Sequence, residues 1–458
     1  MQERVTLPHA QINSDLLVTV LRTPMWYWIA LGVLGALTLV GLGVFGVVMA
    51  TGMGLTGLGR AVVWAVFISD FVYWVGIAHA GVMISALLRL SKAEWRRPIT
   101  RAAEVVTVFA LIWAALHPVI HAGRPWRVFY WVFPYDFPRG IWPDPRSPLV
   151  WDPAAITTYL TGTFLFVIVA LVPDMAVIRD RTNGIKHQVY SFLAMGWRGT
   201  PRQWKLQVMA GFLLSALLLP VFVSVRSIIA WDFSVSIGVN GWHTTVMAPY
   251  FLMGAVHSGV AAVTIMMILM RRLFRWEAYI RIEHIENLAK LMIALGTGWL
   301  YFFLLEFGFS LYSLESADLA LREMLVSTWP WNLLFYIMLI GVYFFPVPLW
   351  LFRSVRRSPM WMVITCLAVN VGMWIERFLV IVPSLARKQP LTFNWGTYHP
   401  TIYEITILIG GGAAVLFMLM LFAKLAPMIP IFDMKEGQVL SDNVQVGRKS
   451  VPALRVEE

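Results

Sequence analysis

The stretch 117–152 carries the residue types best suited to moving protons at a membrane edge. His117, His121, an Arg124-Pro125-Trp126 corner and Asp152 stand among aromatic residues and prolines. Histidine can accept and return a proton at working pH because its ordinary pKa lies near 6.5. A neighbouring aspartate can orient the imidazole, stabilise its charged form or take the proton onward. Flat aromatic side chains can wall off a ring from water. The chemistry these residues suit is oxidation of a quinol, which releases two electrons and two protons and needs a base beside its hydroxyl. His121 and Asp152 are the expected catalytic pair, with Arg124 fixing the loop between them, and the loop is the expected roof of the pocket. A long, proline-rich loop between apolar segments usually has a task beyond connection. The plainer alternative is an interfacial belt of Trp and Tyr at headgroup level.

Composition defines what must position these groups. Of 458 residues, 59% are hydrophobic and 13% are charged, and mean hydropathy is +0.70. Soluble domains carry about a quarter charged residues, so this is an all-α polytopic membrane protein. Cys366, the single cysteine, excludes an internal disulfide and any Cys-ligated cluster or zinc site. The net charge of +11 follows membrane topology rather than a soluble basic face, so a nucleic-acid partner is not expected.

Ten segments are long enough to span the roughly 30 Å apolar core. They are 26–50, 61–88, 102–121, 156–177, 206–229, 246–270, 288–311, 331–351, 360–382 and 401–425. Lys and Arg crowd alternate loops, as positive-inside sorting requires. The 2–3 loop has Arg89, Lys92, Arg96, Arg97 and Arg101, and the 4–5 loop Arg179, Arg181, Lys186, Arg198, Arg202 and Lys205. The 6–7 loop has Arg271, Arg272, Arg275 and Arg281, the 8–9 loop Arg353, Arg356 and Arg357, while the 7–8 loop has only Arg322. Both termini are therefore expected in the cytoplasm, with 117–152 facing outward. The polar N-terminal arm lacks a signal-peptide pattern and is expected to be retained.

Segment 2 reads GIAHAGV from Gly76 to Val82 and segment 6 reads GAVHSGV from Gly254 to Val260. The shared pattern lies four helices apart, an offset that preserves orientation. It predicts two parallel-repeat four-helix bundles, helices 2–5 and 6–9, with helices 1 and 10 outside. The expected units are 1–60 (arm and helix 1), 61–230 (first bundle with the quinol site), 231–383 (second bundle) and 384–458 (helix 10 and tail). Small residues at Gly410–Gly412 predict a close helix contact.

A charge at mid-membrane costs about 2.5–3.5 kcal/mol on insertion scales, so each needs a partner or a function. Toward the outer side lie Asp70, His117, His121, Arg226, Asp232, Glu306, Glu376, Arg377 and Glu404, with His243 at the mouth of helix 6. Deeper or inward lie His79, Glu104, Asp174 and His257. Asp70, His79, Asp174, Asp232, His257, Glu306 and Glu376 are the expected proton-route residues; His257 has a structural or relay role, because the second half lacks a counterpart of the 117–152 loop. The plain alternative for any one group is structural ion pairing, for instance Glu306 with Arg377. A bis-histidine haem is not expected, since His117 and His121 share one side of one helix. Metal binding at that pair is disfavoured for want of a near third ligand. No phosphate-binding Gly-rich loop occurs. An ion or solute carrier built from paired bundles is the competing class.

Several stretches together resemble the NrfD/polysulfide-reductase-type membrane subunits. They are the HAG turn of helix 2, HAGRPW (His121–Trp126), PLVWD (Pro148–Asp152), AWDFSVS (Ala230–Ser236), GWHTT (Gly241–Thr245) and IERF (Ile375–Phe378). Within that family the chain is most similar to the larger quinol-site subunit of bacterial alternative complex III, with its smaller membrane subunit as the near rival. The resemblance implies a subunit free of haem, iron–sulfur cluster and metal, in a bacterial cytoplasmic (inner) membrane, that oxidises menaquinol. It implies electron transfer to an iron–sulfur partner at the outer face, with multihaem cytochrome and a related membrane subunit in the complex. His121 and Asp152 match the family's quinol-site pair, Arg377 matches its helix-9 arginine near that site, and Asp232 and Glu306 match its proposed proton route. A chain without its own redox centre needs such a partner in any case.

Overall fold

The computed structural model describes residues 7–21, 23–123, 126, 148–387, 395–439, 443–446 and 449–452. Among them ten helices are long and apolar enough to cross a membrane. They are α1 (Met25–Thr51), α2 (Ala65–Leu90), α3 (Thr100–His121), α4 (Trp151–Arg179) and α5 (Pro201–Val235). The second half continues with α6 (Met247–Leu273), α7 (Ile282–Ser313), α8 (Trp331–Trp350), α9 (Pro359–Ala386) and α10 (Ile402–Leu425). The chain is a multi-pass integral membrane protein.

Each expected segment falls on one of these helices, but several helices begin earlier than the apolar run does. In α5 the Thr200 side chain accepts from the Gln203 backbone, the Gln203 side chain returns to Thr200, and Pro201 takes the first turn. These polar first turns lie outside any hydropathy window. Conversely, the chain reaches α2 late, because Trp64 sits at φ 63° and turns the backbone just before Ala65. Short π-helical turns interrupt α2 at Met83–Leu87, end α5 at Asp232–Ile237 and interrupt α8 at Ile340–Phe344. Such turns often accompany functional positions.

Helices α2, α3, α4 and α5 pack in a closed ring, each against the next and α5 back onto α2. Helices α6 to α9 do the same, and α2 and α5 join the rings through α6 and α9. The two HxG motifs meet at this junction. A Cβ on Gly76 would touch Ala255 at 3.5 Å, and one on Gly259 would collide with Ala80. Helix α1 packs outside, against α10. There a Cβ on Gly41 would come within 2.7 Å of the Gly410 backbone, so only glycine permits that approach.

The first and last described helices meet on one face. The helix His9–Leu16 carries Asp15, whose backbone carbonyl accepts from Trp276 at 3.1 Å and whose carboxylate accepts from Tyr279 at 2.8 Å. Burial and that carboxylate push the Tyr279 phenol above the ordinary tyrosine range. The tail helix Ile431–Val439 docks beside it: Arg97 reaches Glu436 at 2.6 Å and the Asp433 carbonyl at 3.0 Å. A short hairpin, Asn443–Val446 with Lys449–Pro452, follows. We call this face proximal and the opposite one distal.

Candidate functional site

At the distal end of the first ring, α2 and α3 bring Asp70 and His117 together, with Nε2 and Oδ2 at 3.1 Å. The Nδ1 of His117 faces the Trp113 carbonyl at 3.0 Å, so Nδ1 carries its hydrogen. A further proton must then lie between Nε2 and the carboxylate for them to attract. Trp374 of α9 donates to the other Asp70 oxygen at 3.3 Å. These contacts fix both side chains in place.

One turn further out, the His121 ring lies 5.8 Å from that of His117 and 6.1 Å from Phe71. Its Nε2 is buried and has no hydrogen-bond partner. Across the ring, at the start of α4, the half-buried Asp152 presents its carboxyl to that of Asp232 in the last turn of α5. Among the described residues no donor reaches Asp152 Oδ1 or either oxygen of Asp232. Buried acceptors are nearly always satisfied, so a cluster of orphans marks a place for a missing partner. His121 and Asp152 share no hydrogen bond among the described residues. Arg124 and most of the expected roof lie outside the described residues.

Arg377 is the helix-9 arginine expected near the quinol pair. It is buried in α9, 3.0 Å from Glu376, and its guanidinium covers one side of Phe251 at 4.3 Å. Arg226 of α5 lies over the same ring at 5.0 Å and keeps Nε and Nη1 without partners. The two arginines and Phe251 thus form a cationic bridge between the rings. Tyr250 reaches Glu376 from α6.

Glu306 pairs with Arg322 at 3.0 Å and accepts from Thr244 at 2.5 Å. The expected alternative partner, Arg377, is committed to Glu376 instead. Arg322 comes from the helix Ser316–Ser327 between α7 and α8, a region that reads in sequence as a mere loop. Glu306, Arg322, Tyr250 and Glu376 line a cavity of ≈ 30 Å³, room for water but not for a ring.

Deeper groups fall into two sets. His79 stacks on Tyr159 at 4.8 Å, with its Nδ1 on the Val75 carbonyl and its Nε2 unpartnered. His257 faces the Val342 carbonyl at 3.4 Å from within the α8 π-turn. Near the proximal face, Arg101 binds Asp174 at 3.0 Å and stands 3.9 Å from Glu104, which accepts from Ser85 at 2.5 Å. The Ile431 backbone N–H of the tail helix also reaches Asp174. Glu404 is fully occupied, by Gly57 at 2.9 Å, Thr401 at 2.8 Å and Tyr398 at 2.9 Å, and serves to cap α10.

Sequence reasoning missed Tyr159, Tyr250, Thr244 and Arg101 as partners. No motif surrounds Tyr159, Tyr250 or Arg101, and Thr244 lies in GWHTT with nothing in the motif to pair it with Glu306. Arg322 did carry a signal, as the sole basic residue of its loop.

Residues 54–388 match the family described as "Polysulphide reductase, NrfD". That span takes in both rings and omits α1 and α10. The chain belongs to this family. It is also 25% identical over 242 residues to a candidate membrane subunit of a dimethyl sulfoxide reductase from Halobacterium salinarum, covering 53% of this chain and 51% of that one. The chain thus spans about half the length of the curated relative it matches.

Proposed function

We propose that this chain is the quinol-oxidising membrane subunit of a multi-subunit electron-transfer complex, acting on menaquinol at the distal ends of α3, α4 and α5. The observation that carries the reading is the set of orphaned acceptors: His121 Nε2, Asp152 Oδ1 and both oxygens of Asp232. A quinol supplies two hydroxyl donors, the complement these acceptors lack. One hydroxyl gives its proton to His121, the other to the Asp152–Asp232 pair, and two electrons leave as the ring becomes a quinone. Asp70 and His117, one turn deeper than His121, are placed to relay a proton from it.

The electrons go to an iron–sulfur cluster of a peripheral partner on the distal face, and from there to multihaem cytochrome. The distal loops 3–4, 7–8 and 9–10 form the docking surface, and a related membrane subunit accompanies the chain. The distal face is the outer face of a bacterial cytoplasmic membrane, in keeping with basic residues on the proximal loops. Arg377 acts through Glu376 and Phe251. Proton translocation would use His79, Glu104 and Asp174 in the first ring, and Glu306, Glu376 and the water cavity in the second. The relative's name, which places that protein in a reductase, agrees with a redox assembly.

Purification from native membranes tests the reading. The chain is expected to co-purify with cluster- and haem-bearing proteins and to reduce them with menaquinol. Isolation as a solitary polypeptide that moves ions or solutes would defeat it in favour of a carrier.

A further inference from the structure

The distal face holds a second cluster, separate from the acceptors of the first ring. His243 lies in the segment before α6, and Glu315 and Asp318 open the helix Ser316–Ser327. His243 Nε2 stands 3.3 Å from Glu315 and 3.7 Å from Asp318, and one ligand atom from each of the three lies within 4.8 Å of the others. Asp318 is held rigid: its side chain is 3% exposed and its Oδ1 accepts from the Gly241 backbone at 2.8 Å. The side chains of His243 and Glu315 are 37% and 49% exposed, so an ion can reach them from solvent.

We propose that His243, Glu315 and Asp318 form a binding site for a divalent transition-metal ion, with Zn²⁺ the ion of best fit. A charge-assisted hydrogen bond between imidazolium and carboxylate closes to about 2.7–2.9 Å, and neither His243 contact does so. Ligands 2.0–2.2 Å from a tetrahedral Zn²⁺ stand about 3.3–3.5 Å apart; the closer His243 contact matches, the other is 3.7 Å, and the Glu315 and Asp318 atoms lie within 4.8 Å of each other, so a small movement of the exposed Glu315 side chain completes the set. Imidazole nitrogen and carboxylate oxygen are both ligand types that Zn²⁺ accepts, and three protein ligands leave a fourth position for water. The Gly241 N–H on Asp318 is the outer contact that fixes a ligand's direction. Bound there, the ion joins the segment carrying Thr244 to the helix carrying Arg322. Those two residues hold Glu306, so the metal clamps the distal wall of the water cavity.

The test uses the full-length chain in detergent, stripped with a chelator and titrated with Zn²⁺ by calorimetry, with thermal melting as a second readout. One Zn²⁺ per chain is expected at this site, together with a rise in melting temperature. His243→Ala and Glu315→Gln, both at exposed positions that leave the buried Asp318 contact intact, should each weaken binding on the order of 10–100-fold and abolish the thermal shift. His187→Ala, at an exposed histidine on the proximal face, should leave both unchanged. Absence of stoichiometric binding, or binding and thermal shift unaltered in both site variants, overturns the proposal.

Discussion

The carboxyl groups of Asp152 and Asp232 face each other across the distal ends of α4 and α5, and among the described residues no donor reaches Asp152 Oδ1 or either oxygen of Asp232. Two buried carboxyl groups held in this way need a proton or a shared donor between them. Within the proposed function that donor is the second hydroxyl of the quinol, and in its absence a retained proton.

The pair should therefore behave as one unit. Asp232→Asn supplies an amide donor to Asp152, so the chain without quinol should melt at a higher temperature, while menaquinol oxidation falls. Adding Asp152→Asn should slow oxidation little further, because neighbours that share a function are not additive. Thermal melting and turnover of the four species check this. Independent, additive losses would show that the two carboxyl groups do not act together.

The Glu306–Arg322 bridge makes a separate stability prediction. Arg322→Met leaves Glu306 with Thr244 and no cation, and breaking a buried pair costs on the order of 3–5 kcal/mol. Combining it with Glu306→Gln should restore much of that loss, because the unpaired charge is gone. The check is melting of both variants in detergent. Equal stability of the single and double variants would mean the bridge carries little of the second ring's stability.

His257 occupies the position in α6 that His79 occupies in α2, but its surroundings are the Val342 carbonyl, Gly296 and Trp350 rather than a cluster of acceptors. We therefore expect a single quinol site. His257→Ala should leave quinol stoichiometry at one per chain, measured by equilibrium titration, and should lower turnover only modestly. A second bound quinol that disappears in this variant would contradict the assignment.

The sequence was informative where physics acts locally. Ten apolar runs located ten helices, because the bilayer sets both their length and their composition. The GxxHxGV matches at Gly76 and Gly254 pointed to two equivalent helices, and these prove to meet at the junction of the rings. Helix starts at Pro201 and Ile282 were missed, since their first turns are polar and rest on capping rather than hydropathy. Pairings were harder still. Nothing local in the sequence joins Asp152 to Asp232, Glu306 to Arg322 or Trp374 to Asp70, because each contact depends on which helices the fold makes neighbours. Arg377 is expected near the quinol pair through its motif, whereas its contact with Phe251 depends on the α6–α9 packing.

The central claim is that His121 is the base that receives the quinol's proton. The most direct measurement is menaquinol oxidation by the assembled complex carrying His121→Ala, with its polypeptide composition checked in the same preparation. The account predicts intact assembly and a rate lower by on the order of 10²–10⁴, the usual cost of removing a general base. Adding Asp152→Asn should then lower it little more, since the two groups serve one step. Turnover near the wild-type rate in a fully assembled His121→Ala complex would contradict the account.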